Sequence, residues 1–144
     1  MNDPYGLTRF AEAQTRVYTR VVDELRAGRK WSHWVWYIFP QIDGLGSSET
    51  AKKYAITGLD EGGAYEEHPT LGPRLRECAE LVVAVEGRTA EEVFGYPDFL
   101  KFRSCMTLLD RSSTDRGIFT QALVKYYAGE PDWFTLDILE RQRH

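Results

Sequence analysis

Apolar side chains recur along this chain at helical rather than alternating spacing. A first helix is expected from about Leu7. Val17, Val21 and Leu25 then share one face, and Gly28 is a natural stop. Arg26, Arg29 and Lys30 fall where a helix C-terminus favours positive charge. The apolar run from Trp34 to Phe39 reads as a short buried helix, capped by Ser32 and ended by Pro40. Gly44-Leu45-Gly46 marks a turn, after which Ser47 or Ser48 caps a helix carrying Ala51, Tyr54 and Ala55.

A small helix is expected around residues 60–67, and Pro73 suits the first turn of the next. There Leu75, Cys78, Ala79, Val82 and Val85 form an inward stripe, with Gly87 past the end. Thr89 and Glu92 have capping-box spacing. Pro97-Asp98 opens a helix whose Phe99, Phe102, Met106 and Leu109 face the core. Ile118–Tyr127 follows, burying Ala122, Leu123 and Tyr126. Asp132 caps a last helix carrying Phe134, Ile138 and Leu139. No Asn-Gly or Asp-Gly joins alternating segments, so no sheet is expected. The pattern predicts an all-α fold, a compact single-domain bundle of about seven to nine short helices over residues 1–144.

Composition agrees: 42% of the 144 residues are hydrophobic and 13% aromatic, enough for a core without disulfides or a structural metal. The net charge of −4 contains no Lys/Arg-rich block, which argues against duplex nucleic acid. Cys78 and Cys105 read as reduced, buried thiols. The run from Trp34 to Phe39 is too short to span a bilayer, and Met1-Asn2-Asp3-Pro4-Tyr5-Gly6 lacks the pattern of a secretory leader. A cytoplasmic protein without a membrane partner is expected; the oligomeric state is left open.

His33, His68 and His144 show no metal-ligand spacing, and no cofactor fingerprint is present. Two segments carry candidate chemistry. In the segment 33–41, whose helix is expected to end at Pro40, His33 and Tyr37 share a face, Gln41 lies just past the end, and Trp36 offers a stacking ring. By itself His33 reads more simply as a hydrogen-bonded core residue. On the helix after Pro97, Lys101 and Arg103 flank the buried stripe, with Ser104 and Thr107 as hydroxyl neighbours. Two cations and two hydroxyls suit a carboxylate or phosphate, although the same cations could pair with Asp98 and Asp110.

These segments also carry a family resemblance. The chain resembles the bacterial family known as domain of unknown function 1810. The likeness rests on Asp3-Pro4-Tyr5, Arg9-Phe10, Glu12-Ala13-Gln14, Leu25–Lys30, Ser32-His33-Trp34, Phe39-Pro40-Gln41, Gly44-Leu45-Gly46, Tyr54-Ala55-Ile56, His68-Pro69, Leu71–Leu75, Lys101–Ser104 and Met106-Thr107-Leu108. Leu109 stands where the family pattern suggests Phe. The resemblance implies a compact, mainly helical domain and carries no established activity. The calpastatin label on some relatives is rejected, because such inhibitors are disordered and poor in aromatics.

Two functional readings result. In the first, the domain binds or hydrolyses a small anionic metabolite such as a nucleotide or ADP-ribose derivative, by analogy with other small helical domains acting on NAD-derived compounds. His33 and Gln41 orient the ligand, Lys101 and Arg103 neutralise it, and Trp36 stacks on it. Glu12, with His33, is the candidate acid/base. In the second, the domain is a non-enzymatic protein-interaction module. The first needs residues 33–41 and 101–107 to meet in one concave pocket; the second needs a flat apolar patch.

Overall fold

A computed structural model of the chain describes residues 3–143; Met1, Asn2 and His144 lie outside them. It contains ten helices: α1 (Thr8–Thr15), α2 (Tyr18–Arg26), α3 (Val35–Ile38), α4 (Glu49–Lys53), α5 (Leu59–Glu67), α6 (Leu71–Ala84), α7 (Ala90–Phe94), α8 (Asp98–Ser112), α9 (Gly117–Tyr127) and α10 (Trp133–Gln142). The fold is all-α. Ten among the described residues slightly exceeds the seven to nine expected. No strand occurs among the described residues, although Ile42 and Ile56 make an isolated parallel bridge. Its two bonds run from Ile56 N–H to the Gln41 carbonyl and from Asp43 N–H to the Ile56 carbonyl, both 2.8 Å.

Helix α8 is the hub, packed by α9, α5, α7, α10 and α3, while α6 lies against α9, α2 and α5. The reason is its composition: Phe102, Cys105, Met106, Leu108 and Leu109 are all at most 1% exposed. Phe102 stacks on Phe94 at 4.7 Å and meets the edge of Phe39 at 4.8 Å. Pairs of this geometry add about 0.5–1.5 kcal/mol beyond burial. The expected stripe Leu75, Cys78, Ala79 and Val82 is buried, with Val85 at its half-buried edge.

Several ends follow from local chemistry. Thr89 and Glu92 form the reciprocal capping box that starts α7. Ser48, not Ser47, caps α4 by accepting from Ala51 N–H. Gly28 ends α2 in the left-handed region at φ 74°, where a side chain would be strained. Other expectations fail. Ser32 does not cap α3, because its hydroxyl is turned to the Glu24 carboxylate at 2.6 Å. Tyr126 and Phe99 are only half-buried. Phe134 is 75% exposed, since the inward position of α10's first turn belongs to Thr135.

Candidate functional site

Glu24 shapes the segment that carries His33. Its carboxylate is buried and accepts from the Trp31 and Ser32 backbone N–H groups at 2.7 and 3.0 Å, the Ser32 hydroxyl and the Trp34 indole N–H at 3.0 Å. Burial pushes the Glu24 carboxyl up, but these donors together hold it below its ordinary range. The turn so fixed delays the helix to Val35, so His33 lies outside it. His33 is exposed and makes no hydrogen bond among the described residues, contrary to its reading as a core histidine and to its sharing a helix face with Tyr37. Gln41 is 7% exposed, and its side-chain Nε2 has no hydrogen-bond partner.

The two predicted segments do touch, through Phe39 against Phe102 and through Lys101, whose ammonium lies 4.1 Å from the Trp36 ring centre. That contact is made of ring against ring and ammonium against ring. Lys101 is also committed to Asp98 at 3.1 Å, which takes Lys30 at 2.7 Å on its other oxygen. Arg103 points elsewhere, over the Tyr127 ring at 5.5 Å, and its Nε is buried without a partner. Ser104 and Thr107 brace α10: the Ser104 hydroxyl lies 2.9 Å from Asp132 Oδ2, and Thr107 Oγ1 accepts the Asp132 N–H at 2.8 Å. Of the residues predicted on α3 and α8, only Trp36 and Lys101 are brought together.

Concave surface is found beside Glu12 instead. A groove of about 590 Å³ is lined by Arg9, Glu12, Ala13, Thr15, Arg16, Lys53 and Tyr54. Arg9 builds it. Its guanidinium donates to the carbonyls of Lys53 (2.7 Å), Tyr5 (2.5 Å), Gly6 (2.7 Å) and Ala55 (3.0 Å) and to Glu61 at 3.1 Å. All five N–H donors are used, so Arg9 fixes the end of α4 against α1 and keeps none for a ligand. Arg16 and Lys53 differ: neither pairs with a carboxylate among the described residues. Lys53 Nζ lies 5.3 Å from the Tyr54 ring centre, and Tyr54 packs on Tyr37 at 5.3 Å. Burial, and then Tyr54, push the Tyr37 phenol above its usual range, with Arg20 opposing. Behind this wall Gln14 Nε2 donates to the Tyr37 carbonyl at 2.7 Å and lies 2.9 Å from the buried Tyr65 hydroxyl.

The model of the family described as proteins of unknown function (DUF1810) matches residues 4–139. The chain belongs to this family. A crystal structure of the conserved hypothetical protein Rv1873 from Mycobacterium tuberculosis is 51% identical to this DUF1810 chain. It superposes with a TM-score of 0.95 over 96% of this chain and 99% of that one. No curated protein gives a match.

Within the DUF1810 fold, the strings that carried the resemblance take different parts. Arg9-Phe10, Glu12-Ala13-Gln14 and Tyr54-Ala55-Ile56 line or brace the groove. Arg9, Glu61 and Glu24 were missed as organisers of the site. Helical spacing marks which residues face inward, whereas these side chains act by reaching across the chain, up to 52 positions for Arg9 and Glu61.

Proposed function

We propose that this DUF1810 protein binds a small anionic, ring-bearing ligand, a nucleotide or ADP-ribose derivative, in the groove between α1 and α4. The observation that carries the reading is the pair of cations without acidic partners, Arg16 and Lys53, beside the Tyr54 ring in one concavity. Charge-assisted hydrogen bonds to a phosphate or carboxylate are about twice as strong as neutral ones. Glu12 is the one carboxylate among the lining residues. It accepts from a sugar hydroxyl or ring amino group and is the only lining side chain suited to act as general base if the ligand is hydrolysed. In this assignment Glu12 is retained from the sequence, and Arg16 and Lys53 take the neutralising role first given to Lys101 and Arg103.

A thermal-shift panel of inorganic phosphate, AMP, ADP and ADP-ribose tests it. A ligand at one hundred times its Kd stabilises by about 2.7 kcal/mol. That is worth roughly 5–10 °C in a domain of this size. The shift is expected in the wild type and in Arg103→Ala, and is expected to vanish in Arg16→Ala/Lys53→Ala. If the double variant keeps the shift while Arg103→Ala loses it, the site lies on α8 instead. If no anion moves the wild type, the reading falls.

A further inference from the structure

The first turn of α10 presents apolar rings to the outside, where a solvent-facing helix is expected to be polar. Trp133 is 64% and Phe134 75% exposed, on consecutive positions of the first turn. A groove of about 590 Å³ lies on one flank, with Leu59, Leu136 and Leu139 among its walls. A second, about 410 Å³, lies on the other flank, with Leu45 and Ile138. The helix is thus an aromatic ridge between two apolar-walled furrows.

The charges along both furrows are mixed. The larger is edged by Arg111 and Arg143 and by Asp137 and Glu140; the smaller by Arg141 and Asp43. Each carries equal numbers of cations and carboxylates. A strongly acidic or strongly basic partner would set like charges against half of them, at a cost in specificity and affinity. A partner with the same mixed rim, and its own ridge to fill a furrow, meets neither penalty. The face itself has those properties, and a patch complementary to itself forms a closed two-fold contact.

From this ridge-and-furrow face and its balanced rim, we propose that α10 is a self-association surface whose partner is a second copy of this chain. The two rings present roughly 300 Å² between them. That falls short of the ~800 Å² per partner of a standard interface, so the furrows must be covered as well. This contact is independent of the small-ligand groove, which is lined by residues of α1 and α4.

Sedimentation equilibrium over a wide range of protein concentration tests it. The wild type is expected to rise from the 16.6 kDa chain mass towards twice that value. Trp133→Ser/Phe134→Ser is expected to stay at the single-chain mass with an unchanged far-ultraviolet circular dichroism spectrum, since neither ring contributes to the core. Val124→Ser, at a 60% exposed position on α9, serves as control and is expected to associate like the wild type. A wild type that remains monomeric throughout overturns the proposal. So does a Trp133→Ser/Phe134→Ser variant that associates as strongly as the parent.

Discussion

Replacing Arg9 with Ala removes the side chain that ties residues 5–6, the end of α4 and the start of α5 into one unit. Its partner Glu61 has a side chain only 2% exposed, while that of Arg9 is 24% exposed. In Arg9→Ala the Glu61 carboxylate keeps Thr57 N–H and the Thr57 hydroxyl on Oε1, both at 2.9 Å, but loses the donor on Oε2. Stranding one member of a buried ion pair costs about 3–5 kcal/mol. The partial exposure of Arg9 and the remaining Thr57 bonds favour the lower end, so about 3 kcal/mol is expected. With roughly 2 cal/mol/K per residue of unfolding entropy, that is a fall in Tm of about 10 °C. Arg9→Lys should recover little, because one ammonium cannot reproduce a five-donor fork. A second substitution separates the charge from the bonds: adding Glu61→Gln to Arg9→Ala should restore about 1–2 kcal/mol by neutralising the stranded carboxylate. Differential scanning calorimetry of the wild type, Arg9→Ala, Glu61→Gln and the double variant gives the cycle. An Arg9→Ala penalty below about 1 kcal/mol would mean an ordinary surface pair and would refute the reasoning.

Gly72→Ala should be among the costliest single-methyl changes, because a Cβ there would sit 2.0 Å from the Glu66 carbonyl oxygen; a loss of about 1–3 kcal/mol in urea denaturation is expected, and a neutral result would contradict the packing of α5 on α6. Thr89→Ala should lose about 1 kcal/mol by the same measurement, through its share of the capping box. Glu24 and Asp98 have folded-state carboxyls held below their ordinary values against the push of burial, by hydrogen bonds in Glu24 and by Lys30 and Lys101 in Asp98. Their contribution to stability is therefore complete above the ordinary carboxyl range and is lost as pH falls through the lowered values. The urea midpoint should drop between neutrality and acid pH, and a midpoint that rises on acidification would reverse the sign. Cys78, its thiol pushed by burial up to about 12, and the fully buried Cys105 should label slowly with thiol reagents in the native protein and fast in denaturant; fast native labelling of either would mean that its helix opens readily.

The sequence was most legible where periodicity and capping act together. The stripe of α6, the box at Thr89, the cap at Asp132 and the stop at Gly28 depend only on neighbours within a turn or two, and all form as expected. It was least legible around Ser32. A serine ahead of an apolar run is a good cap unless a buried carboxylate elsewhere takes its hydroxyl, and Glu24 does so from eight residues away. The same blindness dispersed the predicted site. Lys101 and Arg103 flank Phe102 as the helical wheel implies, but the wheel does not say what stands on either side. One side is Trp36 with Asp98, and the other is Tyr127. Ser104 and Thr107 were read as ligand hydroxyls, while the structure spends them on Asp132. Glu12 was singled out only through the family strings, and it lines the groove between α1 and α4.

The junction of Ser104, Thr107 and Asp132 has a consequence for the order in which the molecule comes apart. Asp132 Oδ2 also lies 3.2 Å from Thr135 N and 2.5 Å from the Thr135 hydroxyl, so the start of α10 is fastened by a small buried polar knot. Beyond it Leu139 is the one buried residue of the helix among those described. A helix held by a knot, Leu139, the half-buried Ile138 and a bond from Gln142 Nε2 to the Thr57 carbonyl has little apolar area to lose on release, whereas α8 cannot leave without dismantling the core. The last helix should therefore behave as a separate cooperative unit. Its amides from about residue 136 onward should exchange with solvent through openings that leave Phe102 and Met106 packed, and Asp132→Ala should speed that exchange without lowering global stability to the same degree.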